Sequence, residues 1–142
     1  MTTAPSIEEW FEGSTPLARK LAALGPYSSL TSLIAQAREL APTLTEEEVI
    51  ATLNGHPRIG EDPARMSPRS RAEQGDDVLP ELSRLNREYE RRFGFRFVVF
   101  VNRRPKSEII EVLRQRLRRS RREEMQAGLQ AVIDIAEDRA RA

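Results

Sequence analysis

The chain contains no cysteine, which excludes disulfides, thiolate metal ligands and a cysteine nucleophile. It has one histidine among 142 residues, which excludes a histidine-rich metal site. An excess of charge of one sign is missing too. The 23 Lys and Arg nearly cancel the 22 Asp and Glu, so the whole chain has no field to draw nucleic acid or a membrane surface. Any such role needs a local patch. No apolar run reaches the length of a signal core or a membrane span, and the acidic start MTTAPSIEEW and the closing EDRARA carry no recognisable address. The expectation is a cytoplasmic protein without a membrane partner. Its length suits one domain, residues 1–142, large enough to bury a core.

What is present is mostly helix punctuation. Ser6 and Glu9 have capping-box spacing and open a short helix through Trp10 and Phe11. Thr15-Pro16 is a cap and first-turn pair, and LARKLAAL follows until Gly25-Pro26. From about Ser28 to Leu40, the residues Leu30, Leu33, Ile34, Ala37 and Leu40 share one face, and Pro42 ends the segment. Thr45 and Glu48 make another capping box, on a helix closed by Gly55. Ser67-Pro68 opens a further helix, and PELSRLNREYERRF is the next, with Leu82, Leu85 and Tyr89 inward.

The period then changes. FGFRFVVFV, Phe93 to Val101, alternates and is rich in aromatic and β-branched residues, the one strand signal in the chain. With no second strand to pair with, it reads as a buried extended segment between helices, over about residues 95–101. Ile109, Ile110, Leu113 and Leu117 mark a helix from about Ser107. A Ser120–Glu123 capping box starts the last helix, which carries Met125, Leu129, Val132, Ile133 and Ala136. The expected fold is all-α, a compact single-domain multi-helix bundle with one short extended segment.

Five features carry chemistry. His56 lies between Gly55 and Pro57, which restricts it to extended backbone. Its imidazole suits proton transfer near neutral pH, but a lone histidine here reads more readily as a surface or capping residue. Ser70, Glu73 and Gln74 stand at i, i+3 and i+4, which on a helix sets a hydroxyl, a carboxylate and an amide side by side. Ser70 and Glu73 also have capping-box spacing. The extended segment leaves backbone groups without ladder partners, to be met by a polar ligand or by neighbouring helix ends, side chains or water. RQRLRRSRR, Arg114 to Arg122, resembles a phosphate-binding patch, yet Ser120 splits it over two helices, glutamates flank it and no aromatic residue interleaves. Arg139 continues the apolar face of the final helix, where an arginine can clamp an anion or belong to a basic tail.

Taken together, GHPRIGE (55–61), SRAEQ (70–74), LNREYERRFGFRFVVFV (85–101) and EEMQAGLQAVIDIAEDR (123–139) resemble the 2-oxo-4-hydroxy-4-carboxy-5-ureidoimidazoline (OHCU) decarboxylase family, bacterial type. The resemblance covers most of the chain in the right order. It implies an all-α enzyme, commonly a homodimer, that needs no cofactor or metal and converts OHCU to (S)-allantoin and carbon dioxide in urate breakdown. It implies that His56 is the catalytic proton donor, with Glu73 and Arg139 close to the chemistry. Pro57, Ser70 and Gln74 match substrate contacts, as does the backbone of Phe97, Val98, Val99, Phe100 and Val101. Two other readings stay open on the residues: a helical module that binds a polyanion through Arg114–Arg122, and a decarboxylase of a related ureide. The main reading expects a small-molecule substrate and no nucleic acid.

Overall fold

A computed structural model describes residues 3–59 and 80–142, and among these seven α-helices carry the fold. Helix α1, Ala4–Trp10, is capped by Thr3, whose hydroxyl accepts from the Ser6 amide at 3.3 Å. The expected Ser6–Glu9 box is therefore corrected. Pro5 sits in the first turn, where a missing N–H removes no helical hydrogen bond, so the cap falls three residues earlier than Ser6. Helix α2, Pro16–Leu24, starts at Thr15 and stops at Gly25, as the punctuation predicts. Helix α3, Leu30–Leu40, is capped by Ser29 and runs into a single tight turn, Ala41–Thr43, around Pro42.

Helix α4, Glu46–Asn54, opens on a complete capping box. The Glu48 amide donates to Thr45 Oγ1 at 3.2 Å and the Thr45 amide to Glu48 Oε1 at 2.9 Å. The helix following Ser67-Pro68 lies outside the described residues. Helix α5, Pro80–Phe93, buries Leu82, Leu85, Tyr89 and Phe93. The extended segment comes next and makes no β-ladder among the described residues. Helix α6, Lys106–Arg116, buries Ile109, Ile110 and Leu113. Helix α7, Arg121–Arg141, opens on the expected box of Ser120 with Glu123.

The 21-residue α7 is the axis of the packing, touching α1, α3 and α4. Leu129, Val132, Ile133 and Ala136 of α7 share the core with Leu17 and Leu21 of α2, Leu33 and Ala37 of α3 and Leu53 of α4. Each such Leu, Ile or Val side chain contributes about 1.5–3 kcal/mol by leaving water. Helices α4 and α7 meet closely at Gly128, where an added Cβ would lie 2.7 Å from Leu53 Cδ2. That contact brings the end of α4, and the loop after it, up against α7.

The extended segment is held by aromatic packing instead of sheet hydrogen bonds. Phe95 and Phe97 alternate inward onto Tyr89, with ring centroids 6.0 and 5.2 Å from it, and Phe93 stands 4.6 Å from the same ring. Beneath them lies a buried polar group. Glu124 Oε1 accepts from Tyr89 Oη and from Arg116 Nε, each at 2.7 Å. Burial pushes the Tyr89 phenol well up, and the hydrogen bond to Glu124 adds to this.

Candidate active site

The His56 loop is built by close contact and by clamps. Gly55 follows α4 with ordinary helical backbone, φ −73°, so its role differs from that of a left-handed cap. An added Cβ would lie 2.7 Å from Thr15 Cγ2 and 3.3 Å from the Thr52 carbonyl. Only glycine fits between α4 and the start of α2. The next residue, His56, donates its amide to the Leu53 carbonyl at 3.1 Å. Arg96 holds the loop from the other side. Its Nη1 donates to the carbonyls of Asn54 and His56 at 3.0 and 2.9 Å, and its amide donates to Asn54 Oδ1 at 2.9 Å.

The His56 side chain faces inward. The residue is 4% exposed, and its Nε2 is buried and finds no hydrogen-bond partner among the described residues. A buried nitrogen left without a partner in this way is costly, and it marks a place where a ligand can supply the missing bond. Burial pulls the imidazole pKa down from 6.5 to about 4; the Glu12 carboxylate opposes this and the Arg139 guanidinium reinforces it. At neutral pH the imidazole is therefore uncharged.

Arg139 comes from the last turn of α7 and is buried, which settles against a basic, solvated tail. Its Nη1 donates to Glu12 Oε2 at 2.8 Å and to the Trp10 carbonyl at 3.1 Å. The two side chains of this ion pair are 2% and 9% exposed. Glu12 lies in the turn after α1, with a left-handed backbone of φ 64° followed by Gly13 at φ 107°. A buried guanidinium and carboxylate, drawn from the two ends of the chain, thus lie within electrostatic reach of the imidazole.

Pro57 is half-buried beside His56. Ser70, Glu73 and Gln74 lie outside the described residues. Of the extended segment, Phe97 and Val98 are buried, while Val99, Phe100 and Val101 are half-buried. Several of its carbonyls are already engaged. Arg116 Nη1 donates to Val98 at 2.9 Å, and Arg104 donates to Phe100 at 2.5 Å and to Val101 at 3.0 Å. The amides of Val99, Phe100 and Val101 find no acceptor among the described residues, so the segment has N–H donors to offer a ligand.

The arginine run is largely spoken for. Arg114 pairs with Glu81 and Glu111, Arg116 with Glu124, Arg119 with Glu123 and Glu124, and Arg121 with Glu46. A patch so neutralised has little left to offer a polyanion. Among the described residues no three His, Asp or Glu side chains are grouped to hold a metal ion, and no helix is long and apolar enough to cross a membrane.

Glu12, Arg96 and the Tyr89–Arg116–Glu124 group are supporting contacts around the candidate site and its extended segment that sequence reasoning missed. Arg96 had a signal, being the polar residue between two inward phenylalanines. Glu12 had none, because its partner lies 127 residues away.

Comparison with known proteins gives a consistent picture. A family model described as OHCU decarboxylase matches residues 3–141. A uric acid degradation bifunctional protein of Bacillus sp. (strain TB-90) is 30% identical over 134 residues, covering 89% of this chain and 26% of its own length. The chain thus spans about a quarter of that relative. A 2-oxo-4-hydroxy-4-carboxy-5-ureidoimidazoline decarboxylase of Haloferax volcanii is 31% identical over 137 residues, covering 91% of this chain and 81% of its own. The fold matches a crystal structure of OHCU decarboxylase in the presence of (S)-allantoin, with a TM-score of 0.73, 24% identity and coverage of 93% of this chain and 94% of that one.

Proposed function

The chain belongs to the OHCU decarboxylase family, and on that premise we propose that it removes the carboxylate of OHCU to give (S)-allantoin and carbon dioxide. The observation that carries this reading is the buried His56, its Nε2 without a hydrogen-bond partner among the described residues, within electrostatic reach of a buried arginine. The carboxylate of OHCU sits on a carbon next to a C=N bond. When the bond to carbon dioxide breaks, the electron pair it leaves spreads onto nitrogen, so the substrate is its own electron sink. The site has to orient the carboxylate, strip it of water and stabilise the charge that develops.

Loss of carbon dioxide from a carboxylate consumes one proton overall, and this proton is assigned to His56. An anion entering the pocket raises the proton affinity of a neighbouring imidazole. His56 then takes a proton from solvent as the substrate binds and delivers it to one face, which sets the S configuration. Arg139 orients the departing carboxylate, and the amides of residues 99–101 hold the ring. Glu73, with Ser70 and Gln74, completes the contacts on the strength of the family motif. The absence of any cofactor or metal and a homodimeric assembly are parts of the same proposal and rest on the family resemblance; a cytoplasmic setting is proposed with them.

The test generates fresh OHCU from urate with upstream enzymes and follows the loss of its optical signal with and without the protein. Stereospecific allantoin formation is expected. His56→Asn should slow it by about a hundred- to ten-thousandfold while circular dichroism stays unchanged. Near-normal turnover by that variant would overturn the assignment.

A further inference from the structure

Glu12 is an unusual residue to find where it is. Its backbone is left-handed, φ 64°, a conformation that residues with a β-carbon rarely adopt and that costs free energy. Its carboxylate is also buried, which glutamates tolerate only when paired. Burial of Arg139 without a counter-charge would be strongly unfavourable, so the pair accounts for each other's burial. The pair also has a use at the site. Arg139 is the arginine that the proposed function sets on the substrate carboxylate, and the Glu12 carboxylate, 2.8 Å away, fixes where its guanidinium stands. Glu12 raises and Arg139 lowers the proton affinity of His56.

We propose that Glu12 is a positioning residue of the decarboxylation site: it anchors the Arg139 guanidinium and balances its charge, so that His56 can take up the proton it delivers. The assignment rests on the decarboxylase reading given above. Arg139 alone would leave a cation within electrostatic reach of an imidazole that has to become a second cation during turnover. Glu12 cancels that repulsion at a distance of one hydrogen bond, 2.8 Å, from the guanidinium. Among the described residues, the other charge at the loop is Arg96 of the extended segment, which donates to the His56 carbonyl. Arg58, two residues on, is engaged with Glu90 of α5 at 2.7 Å.

The chain's single histidine makes the test direct, because one imidazole Cε1–H resonance reports its titration without assignment. That resonance is followed against pH in the wild type, Glu12→Gln and Arg139→Gln, alongside kcat and KM. Glu12→Gln should move the midpoint to lower pH and lower kcat by about ten- to a hundredfold. Arg139→Gln should move the midpoint the opposite way. A folded Glu12→Gln protein with the wild-type midpoint overturns the proposal. If Glu12→Gln does not fold, Glu12→Asp decides. It keeps the charge but draws the carboxylate back by one methylene, so the midpoint should hold while kcat falls, and an unchanged kcat overturns the anchoring role. Midpoints that move as stated in a protein inactive on OHCU support the charge balance and sink the decarboxylase reading. An active enzyme with immovable midpoints sinks the proposal alone.

Discussion

Gly55 packs against Thr15 so closely that a β-carbon on the glycine would lie 2.7 Å from the threonine's Cγ2. Thr15 is buried and held in place as the cap of α2, where its Oγ1 accepts from the Ala18 amide at 3.3 Å. The contact therefore sets where the His56 loop leaves α4. Gly55→Ala should destabilise the protein by about 1–3 kcal/mol through overpacking and should displace His56, lowering kcat. Thr15→Ser removes the offending methyl and keeps the capping oxygen. The double variant Gly55→Ala/Thr15→Ser should thus recover most of both losses, as measured by urea melts and turnover. A double variant no better than Gly55→Ala would show that the clash is not the cause.

The titration of His56 links stability to pH. Its folded pKa is about 4 against 6.5 for an ordinary histidine, first because of burial. The unfolded chain then binds more protons than the folded one between those two values. Stability is full above the unfolded pKa and is lost as pH falls through the window. The linked loss is about 3 kcal/mol over the whole window and about 2 kcal/mol by about pH 5. Urea melts near neutrality and near pH 5 should show a larger drop for the wild type than for His56→Asn, which cannot take up the proton. Equal drops would place the histidine in contact with solvent.

How far these features could be read in advance depends on how local their causes are. The boxes at Thr45–Glu48 and Ser120–Glu123 each involve residues three apart, and both form as the spacing predicts. The Ser6–Glu9 spacing is the same, yet Thr3 takes the cap because Pro5 belongs in the first turn. His56 was legible as the sole histidine in a backbone-restricted setting, and Arg139 as a charge on an apolar face. Glu12 was not legible, because a left-handed glutamate facing an arginine at the far end of the chain follows from tertiary packing alone. The extended segment was legible as buried and unpaired. That arginines would meet its carbonyls was not, since Arg104 and Arg116 lie in surroundings where any arginine reads as surface.

The buried group under that segment yields a separate prediction. Glu124 is fully buried, and Arg116 is its closest cation, with Nε at 2.7 Å and a second link from Arg116 Nη1 to the Val98 carbonyl at 2.9 Å. Arg116→Met leaves a carboxylate in the interior without that partner and should cost about 3–5 kcal/mol. Arg116→Met/Glu124→Leu removes both charges and should cost less than Arg116→Met alone. Denaturant melts of the two variants check this, and a double variant at least as unstable as the single one would argue that the pair contributes net stability.

Arg96 separates positioning from stability. Its Nη1 spans the carbonyls of Asn54 and His56 at 3.0 and 2.9 Å, from a side chain that is only half-buried. Water can replace part of those bonds when the guanidinium is removed, so Arg96→Met should cost about 1–2 kcal/mol in stability. Water does not hold a loop in one place. The His56 imidazole should then sample positions away from the substrate, and kcat should fall by about tenfold or more. Arg96→Met is thus expected to retain a cooperative melt close to that of the wild type while losing most of its turnover. Turnover that falls only in proportion to the unfolded fraction would leave Arg96 a structural residue and place the orientation of His56 with Gly55 and Thr15.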